Sequence, residues 1–368
     1  MRQKSIKLVG LVFGFLLLIF LIQKISSGLI TNRTSFETSV PLSAGFRSSV
    51  VPWLNFDGRN YLDIILSGYH RKGEMELSVF FPLYPLLVRL MSFNLLLNPI
   101  YIGLIISFIF FLLSLTAFYK LVPSPKPIGL LLIFPTSFFF LAYYTESLFL
   151  FLTLTFFLSL RKKKYWLAGL ICALATSAKI TGVALIPSFA WVLFQEYKKT
   201  KQFPFPLLIS PLGLILYLVY TQLNSGNWFL VFSGQSFWAR KFSLLNPITS
   251  LLEWAGKVLA GPLPGYDSPF VYTGIVIEFL TVASLIYLVI AMYKKVETSQ
   301  YLYLLSSLLL ILLAGNFSSI HRYVLVMFPI FIYLGNVLHK KFLVAYSLLS
   351  LFLLMYLTSL FTKGYWSG

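Results

Sequence analysis

Apolar residues run along this chain in long blocks, at positions 8–25, 100–119, 128–142, 147–160, 165–178, 181–194, 205–220, 270–292, 301–313, 324–338 and 342–361. Blocks of this length predict an all-α integral membrane protein, a polytopic bundle of about eleven membrane-crossing helices. Several blocks fall short of the roughly 20 residues an upright span needs. Between the first two blocks lies the segment 53–90, which gathers acids, bases, a histidine and turn residues. Within it Tyr61, Ile64, Ile65 and Gly68 recur at helical spacing, while Arg59, Asn60, Asp63 and Ser67 take the other side. That pattern predicts an amphipathic helix of about three turns lying on a membrane surface, with Asp57 as its N-cap and Gly68 as its stop. The aromatic and proline run at 80–85 then opens a second apolar helix, whose prolines suit its first turn.

Composition sharpens this picture. The 368 residues are 58% hydrophobic and 11% charged, outside the range of a soluble domain of this size. A net charge of +18 would point to nucleic acid in a soluble protein, but here the basic residues sit in short clusters between apolar blocks, as topology determinants do. No nucleic-acid partner is expected. Placing the N-terminus in the cytoplasm puts Lys120, Lys126, the clusters at 161–164 and 198–201, Lys294 with Lys295, and Lys340 with Lys341 inside. The same assignment puts two large loops, about 27–98 and 223–269, outside together with Glu146, Lys179, His321 and Arg322. The basic start and first apolar block read as an uncleaved first span, since no small-x-small cleavage site follows. The chain is expected to be one domain over 1–368 in a cell membrane, contacting its lipids. The sequons at Asn32 and Asn316 would be external. Cys172 stands alone, which excludes an internal disulfide and a cysteine metal cage, and His70, His321 and His339 lack zinc-ligand spacing.

The order Trp53, then Phe56-Asp57-Gly58, then Tyr61-Leu62-x-Ile64 and Gly68-Tyr69, then Phe80-Phe81-Pro82-Leu83-Tyr84-Pro85, resembles the PIG-V-like mannosyltransferases. The likeness continues through Phe134-Pro135-Thr136-Ser137, Tyr144-Thr145-Glu146-Ser147, Leu167-Ala168-Gly169-Leu170, Thr181-Gly182 and His321-Arg322-Tyr323. It covers most of the chain in the family's order. It implies a GT-C-type helical bundle that uses a polyprenyl-phosphate sugar donor and inverts the anomeric carbon by a single displacement. Mannose is the family's default sugar, and the acceptor would be a lipid-linked or cell-surface glycan on the external face.

No G-x-G-x-x-G or Walker pattern is present and the basic loops are short, which argues against a nucleotide-sugar donor. Hexose transfer needs a base for the acceptor hydroxyl and cations for the leaving phosphate. The resemblance aligns Asp57 with the family's first-loop aspartate, the general base; helix capping is the competing role from local pattern alone. Asp63, one and a half turns on, points to a different side and is the second candidate acid. Arg322, Lys179 and His321 are candidates for the donor phosphate, with membrane anchoring as the plainer alternative for the last two. Glu146 either caps its helix or orients Arg322 or Lys179. Tyr61, Tyr69, Gln235, Trp238 and Arg240 are candidates for sugar or acceptor contacts. No metal ligand set or other cofactor is expected, and the two acids leave divalent-metal dependence open because neutral oxygen ligands carry no sequence signature. The alternatives to an enzyme are a transporter or flippase of lipid-linked sugars and a non-catalytic membrane scaffold subunit.

Overall fold

The computed structural model describes residues 2–31, 33, 49–70, 74–262 and 269–366, with the side chains of residues 2–7, 27, 70, 74 and 269 left out. The Asn32 sequon and the His70 side chain lie outside the described residues. Among those described, every regular element is helical. The longer helices are α1 (Arg2–Leu29), α2 (Asp57–Ser67), α3 (Leu83–Met91), α4 (Pro99–Leu121), α5 (Pro125–Leu132), α6 (Glu146–Arg161), α7 (Tyr165–Ala178) and α8 (Leu185–Thr200). They continue with α9 (Leu212–Ser225), α10 (Asn246–Ala260), α11 (Pro269–Met292), α12 (Thr298–Ala314), α13 (Ile320–Leu325), α14 (Phe328–Val337) and α15 (Lys340–Thr362).

Among the described residues, five stretches are long and apolar enough to cross a membrane: Leu8–Ser26, Pro99–Leu121, Pro206–Ser225, Phe270–Met292 and Lys340–Thr362. The other blocks expected to span form shorter or broken helices. The block at 128–142 is only α5, then turns and the 3-10 segment Ser137–Phe140, because Pro135 lacks an N–H and drives its predecessor out of helical geometry. The block at 324–338 breaks at Val326 and Met327, where Pro329 suits the start of α14 rather than the interior of a continuous helix.

The irregular stretch 133–145 has a topological role. Arg161 at the end of α6 donates to the Leu121 carbonyl at the end of α4 (2.9 Å), and Ser114 of α4 donates to the Ser147 carbonyl at the start of α6 (3.0 Å), so α4 and α6 run in the same direction. Residues 122–145 must therefore return the chain to its starting end with one short helix. Most of that return is buried, and buried backbone must find partners inside the protein. Ser147 donates to the Phe140 carbonyl (2.7 Å), Ser137 to Leu132 (2.6 Å) and Ser107 to Tyr144 (3.3 Å). The return delivers Tyr143, Tyr144 and Glu146 to the end of the bundle where α2 lies. A 16-residue helix at about 1.5 Å per residue separates that end from the basic cluster beginning at Arg161.

The amphipathic helix α2 is present, and it stops at Gly68 with φ +70 as expected. Its start corrects the sequence expectation. Asp57 is the first helical residue and Phe56, at φ +59, stands in the cap position. The carboxylate is thus directed elsewhere than at its own helix's N–H groups.

Candidate active site

Asp57 is fixed by backbone pinning on both sides. The Asn55 side-chain amide donates to the Phe361 carbonyl of α15 (2.7 Å), and the Tyr144 hydroxyl donates to the Asn55 carbonyl (2.7 Å) while accepting from the Asp57 N–H (3.2 Å). Phe56 meets Trp366 edge-on at 5.1 Å and Phe361 at 6.0 Å. A left-handed φ at a phenylalanine costs on the order of 1–3 kcal/mol, which these contacts must offset. The result is a carboxylate placed by α15 and the 143–146 return as much as by its own helix.

Four charged side chains from four parts of the chain then meet. Arg322 Nη2 lies 2.7 Å from Asp57 Oδ2, Arg322 Nε lies 3.1 Å from Glu146 Oε1, and Lys179 Nζ lies 2.7 Å from the same Glu146 oxygen. The Arg322–Glu146 approach is an ion pair without hydrogen-bond alignment, since Nε makes no hydrogen bond. The guanidinium also packs over the Tyr144 and Phe139 rings at 5.3 and 5.5 Å. Burial alone would push the Glu146 carboxyl up, but Lys179 and Arg322 outweigh it and hold the group below the ordinary carboxylate range. Burial likewise opposes the charge on Arg322, and Asp57 and Glu146 more than compensate, so it stays protonated.

A cavity of about 290 Å³ opens beside this network. Asp57, Lys179 and Arg322 line it, as do Tyr61, Gln235, Trp238 and Arg240, while Glu146, Asp63, Tyr69 and His321 do not. The Asp57 side chain is 12% exposed against 1% for Glu146, so of the two networked acids it is Asp57 that a ligand can reach. Glu146 sits behind, holding two cations.

The remaining candidates separate by position. Asp63 is half-buried on α2 and acts electrostatically on Arg59. The Tyr69 hydroxyl donates to the Phe80 carbonyl (2.6 Å), and its ring lies in a separate apolar groove with Tyr217 and Tyr220. His321 is buried, and its carbonyl accepts from Thr136 Oγ1 (3.0 Å). Asn316, read as an external sequon, lines the cavity with both amide atoms engaged: it donates to the Trp238 carbonyl (3.1 Å) and accepts from the Ser318 N–H (2.9 Å).

Tyr323, read only as part of a motif, and Ser319, Trp366 and Glu278 had no site role assigned from the sequence. Glu278 is a buried carboxylate in α11 that accepts from the Ser319 N–H (2.7 Å) just before α13. A lone acid inside an apolar block was the available signal for it. Among the described residues no group of three or more His, Cys, Asp or Glu is arranged to hold a metal ion.

No family model matches the chain, and no curated protein or solved structure matches it.

Proposed function

We propose that this protein is an integral-membrane hexosyltransferase of the GT-C type, moving a sugar, mannose by family default, from a polyprenyl phosphate to a lipid-linked or cell-surface glycan. The observation that carries the proposal is Asp57, a partly exposed carboxylate held by an arginine at the wall of a cavity also lined by cations, amides and aromatic rings. The sequence resemblance, with Asp57 at the family's first-loop aspartate, supports it independently of the geometry.

In this account the acceptor hydroxyl approaches Asp57 while its oxygen attacks the anomeric carbon. Asp57 Oδ2 is committed to Arg322, so Oδ1 takes the proton as the new C–O bond forms. The sugar–phosphate bond breaks on the opposite face and the anomeric centre inverts. The electron pair leaves with the phosphate, whose growing charge meets fixed cations in a water-poor site. Aromatic walls at Tyr61 and Trp238 and the Gln235 amide suit a pyranose ring with its hydroxyls. The cavity would face the outside of a cell membrane, with the N-terminus in the cytoplasm, since basic residues cluster at the far end of α6.

The donor class is tested by incubating membranes containing the protein with radiolabelled mannose carried on polyprenyl phosphate or on a nucleoside diphosphate. Label should reach lipid or glycan from the first donor only. Transfer from neither donor, with protein present at normal level, contradicts the proposal.

A further inference from the structure

Among the described residues, the cations on the cavity wall are not all matched by a carboxylate at ion-pair distance. Arg322 and Lys179 are paired with Asp57 and Glu146, and Arg322 Nη1 is buried without a hydrogen bond, so it does not reach the open space. Arg240 is the third cation on the wall. Among the described residues no carboxylate lies within ion-pair distance of it; its Nη2 donates only to the Ser318 carbonyl, at 3.3 Å. Glu278 feels the charge of Arg240 at longer range but is engaged with Ser319. The guanidinium lies 5.6 Å from the centre of the Tyr323 ring, and Lys179 Nζ lies 5.0 Å from the same ring. One aromatic ring thus holds two cations; Lys179 has Glu146 beside it, whereas Arg240 faces the ring and the cavity with no carboxylate partner among the described residues.

Position adds a second observation. Arg240 and Tyr323 line both the polar cavity and an adjoining apolar groove whose wall includes Ile180, Phe242, Leu310 and Ile311. They stand where a polar compartment meets an apolar one. About 40 Å³ of the groove is open, and Phe242, 44% exposed, stands on its wall. A ligand that bridges both compartments carries an anion at the junction, a polar group on one side and a hydrocarbon chain on the other.

We infer that Arg240, stacked on Tyr323, binds the phosphate of an isoprenyl phosphate at this junction, while Arg322 serves Asp57 and Glu146 and does not contact the phosphate. The inference rests on the lipid-phosphate donor proposed above and names the residue that takes its charge. Arginine suits the task because its planar fork can engage two phosphate oxygens while its face stays on the ring.

The test measures equilibrium binding of farnesyl phosphate to the purified full-length protein in detergent, with farnesol and inorganic phosphate as the two comparison ligands. The wild type should bind farnesyl phosphate more tightly than either. Arg240→Gln should weaken that binding at least about tenfold, the usual scale for a lost charge-assisted contact. Arg240→Lys should fall between, and it keeps the test open if the glutamine variant does not fold. Wild-type affinity in Arg240→Gln or Arg240→Lys overturns this inference and leaves the donor class standing. Equal affinity for inorganic phosphate and farnesyl phosphate overturns the bridging ligand, and no binding of farnesyl phosphate by the wild type overturns the donor class with it.

Discussion

Glu146→Gln should destabilise the protein more than Asp57→Asn, although Asp57 is the proposed reacting group. The Glu146 side chain is 1% exposed and meets Lys179 at 2.7 Å and Arg322 at 3.1 Å. Neutralising it leaves Lys179 without a carboxylate partner among the described residues and Arg322 with Asp57 alone. Removing one partner of a buried ion pair costs about 3–5 kcal/mol. Asp57→Asn is gentler: Asp57 is 12% exposed, Arg322 retains Glu146, and the loss approximates one charged hydrogen bond, about 1.5–3 kcal/mol. Thermal unfolding of the two variants and wild type in one detergent, followed by intrinsic fluorescence, ranks them. The reasoning is refuted if Asp57→Asn unfolds at the same temperature as Glu146→Gln or below it.

The depressed Glu146 carboxyl also sets a pH dependence. A group whose folded pKa lies below its unfolded value, about 4.3, contributes stability above that value and loses it as pH falls through the folded one. The stability gap between wild type and Glu146→Gln should stay constant from pH 8 to 5 and narrow as pH falls below that unfolded value, as read by thermal unfolding in buffers across that range. Gly58→Ala should fold normally, because an added Cβ would meet Tyr143 and Tyr144 only at 3.5 Å, whereas Gly103→Ala drives a methyl into the Tyr143 ring and should cost about 1–3 kcal/mol. Yields of monodisperse protein will separate the two. Asp63 and Tyr69 neither line the cavity nor join the ion-pair network, so Asp63→Asn and Tyr69→Phe should retain sugar transfer within about twofold of wild type. A tenfold loss in either would mean that the cavity is not where the chemistry happens.

The helical, membrane-type character and the amphipathic α2 were legible because each follows from a local pattern of apolar positions. The break at 133–145 was not, since its apolar residues read as one block and only Pro135 marked the interruption. For the site, the sequence singled out Asp57, Glu146, Lys179 and Arg322, and the structure brings these four into one network although they lie on separate elements. It gave no means of seeing which cation was already paired. Arg322 and Lys179 face carboxylates, while among the described residues Arg240 has no carboxylate within ion-pair distance. Pairing is a property of three-dimensional placement, and spacing along the chain does not encode it. The role of Asp57 as helix cap failed for the same reason, because Phe56 takes the cap position once Asn55 is pinned to α15.

The most direct test of the central claim is the rate of hexose transfer from polyprenyl-phosphate mannose by purified Asp57→Asn, at matched protein level and with its fold verified by thermal unfolding. Loss of a general base should lower the rate by about 10²–10⁴-fold while donor binding persists. A folded Asp57→Asn that transfers the sugar at the wild-type rate would contradict the account.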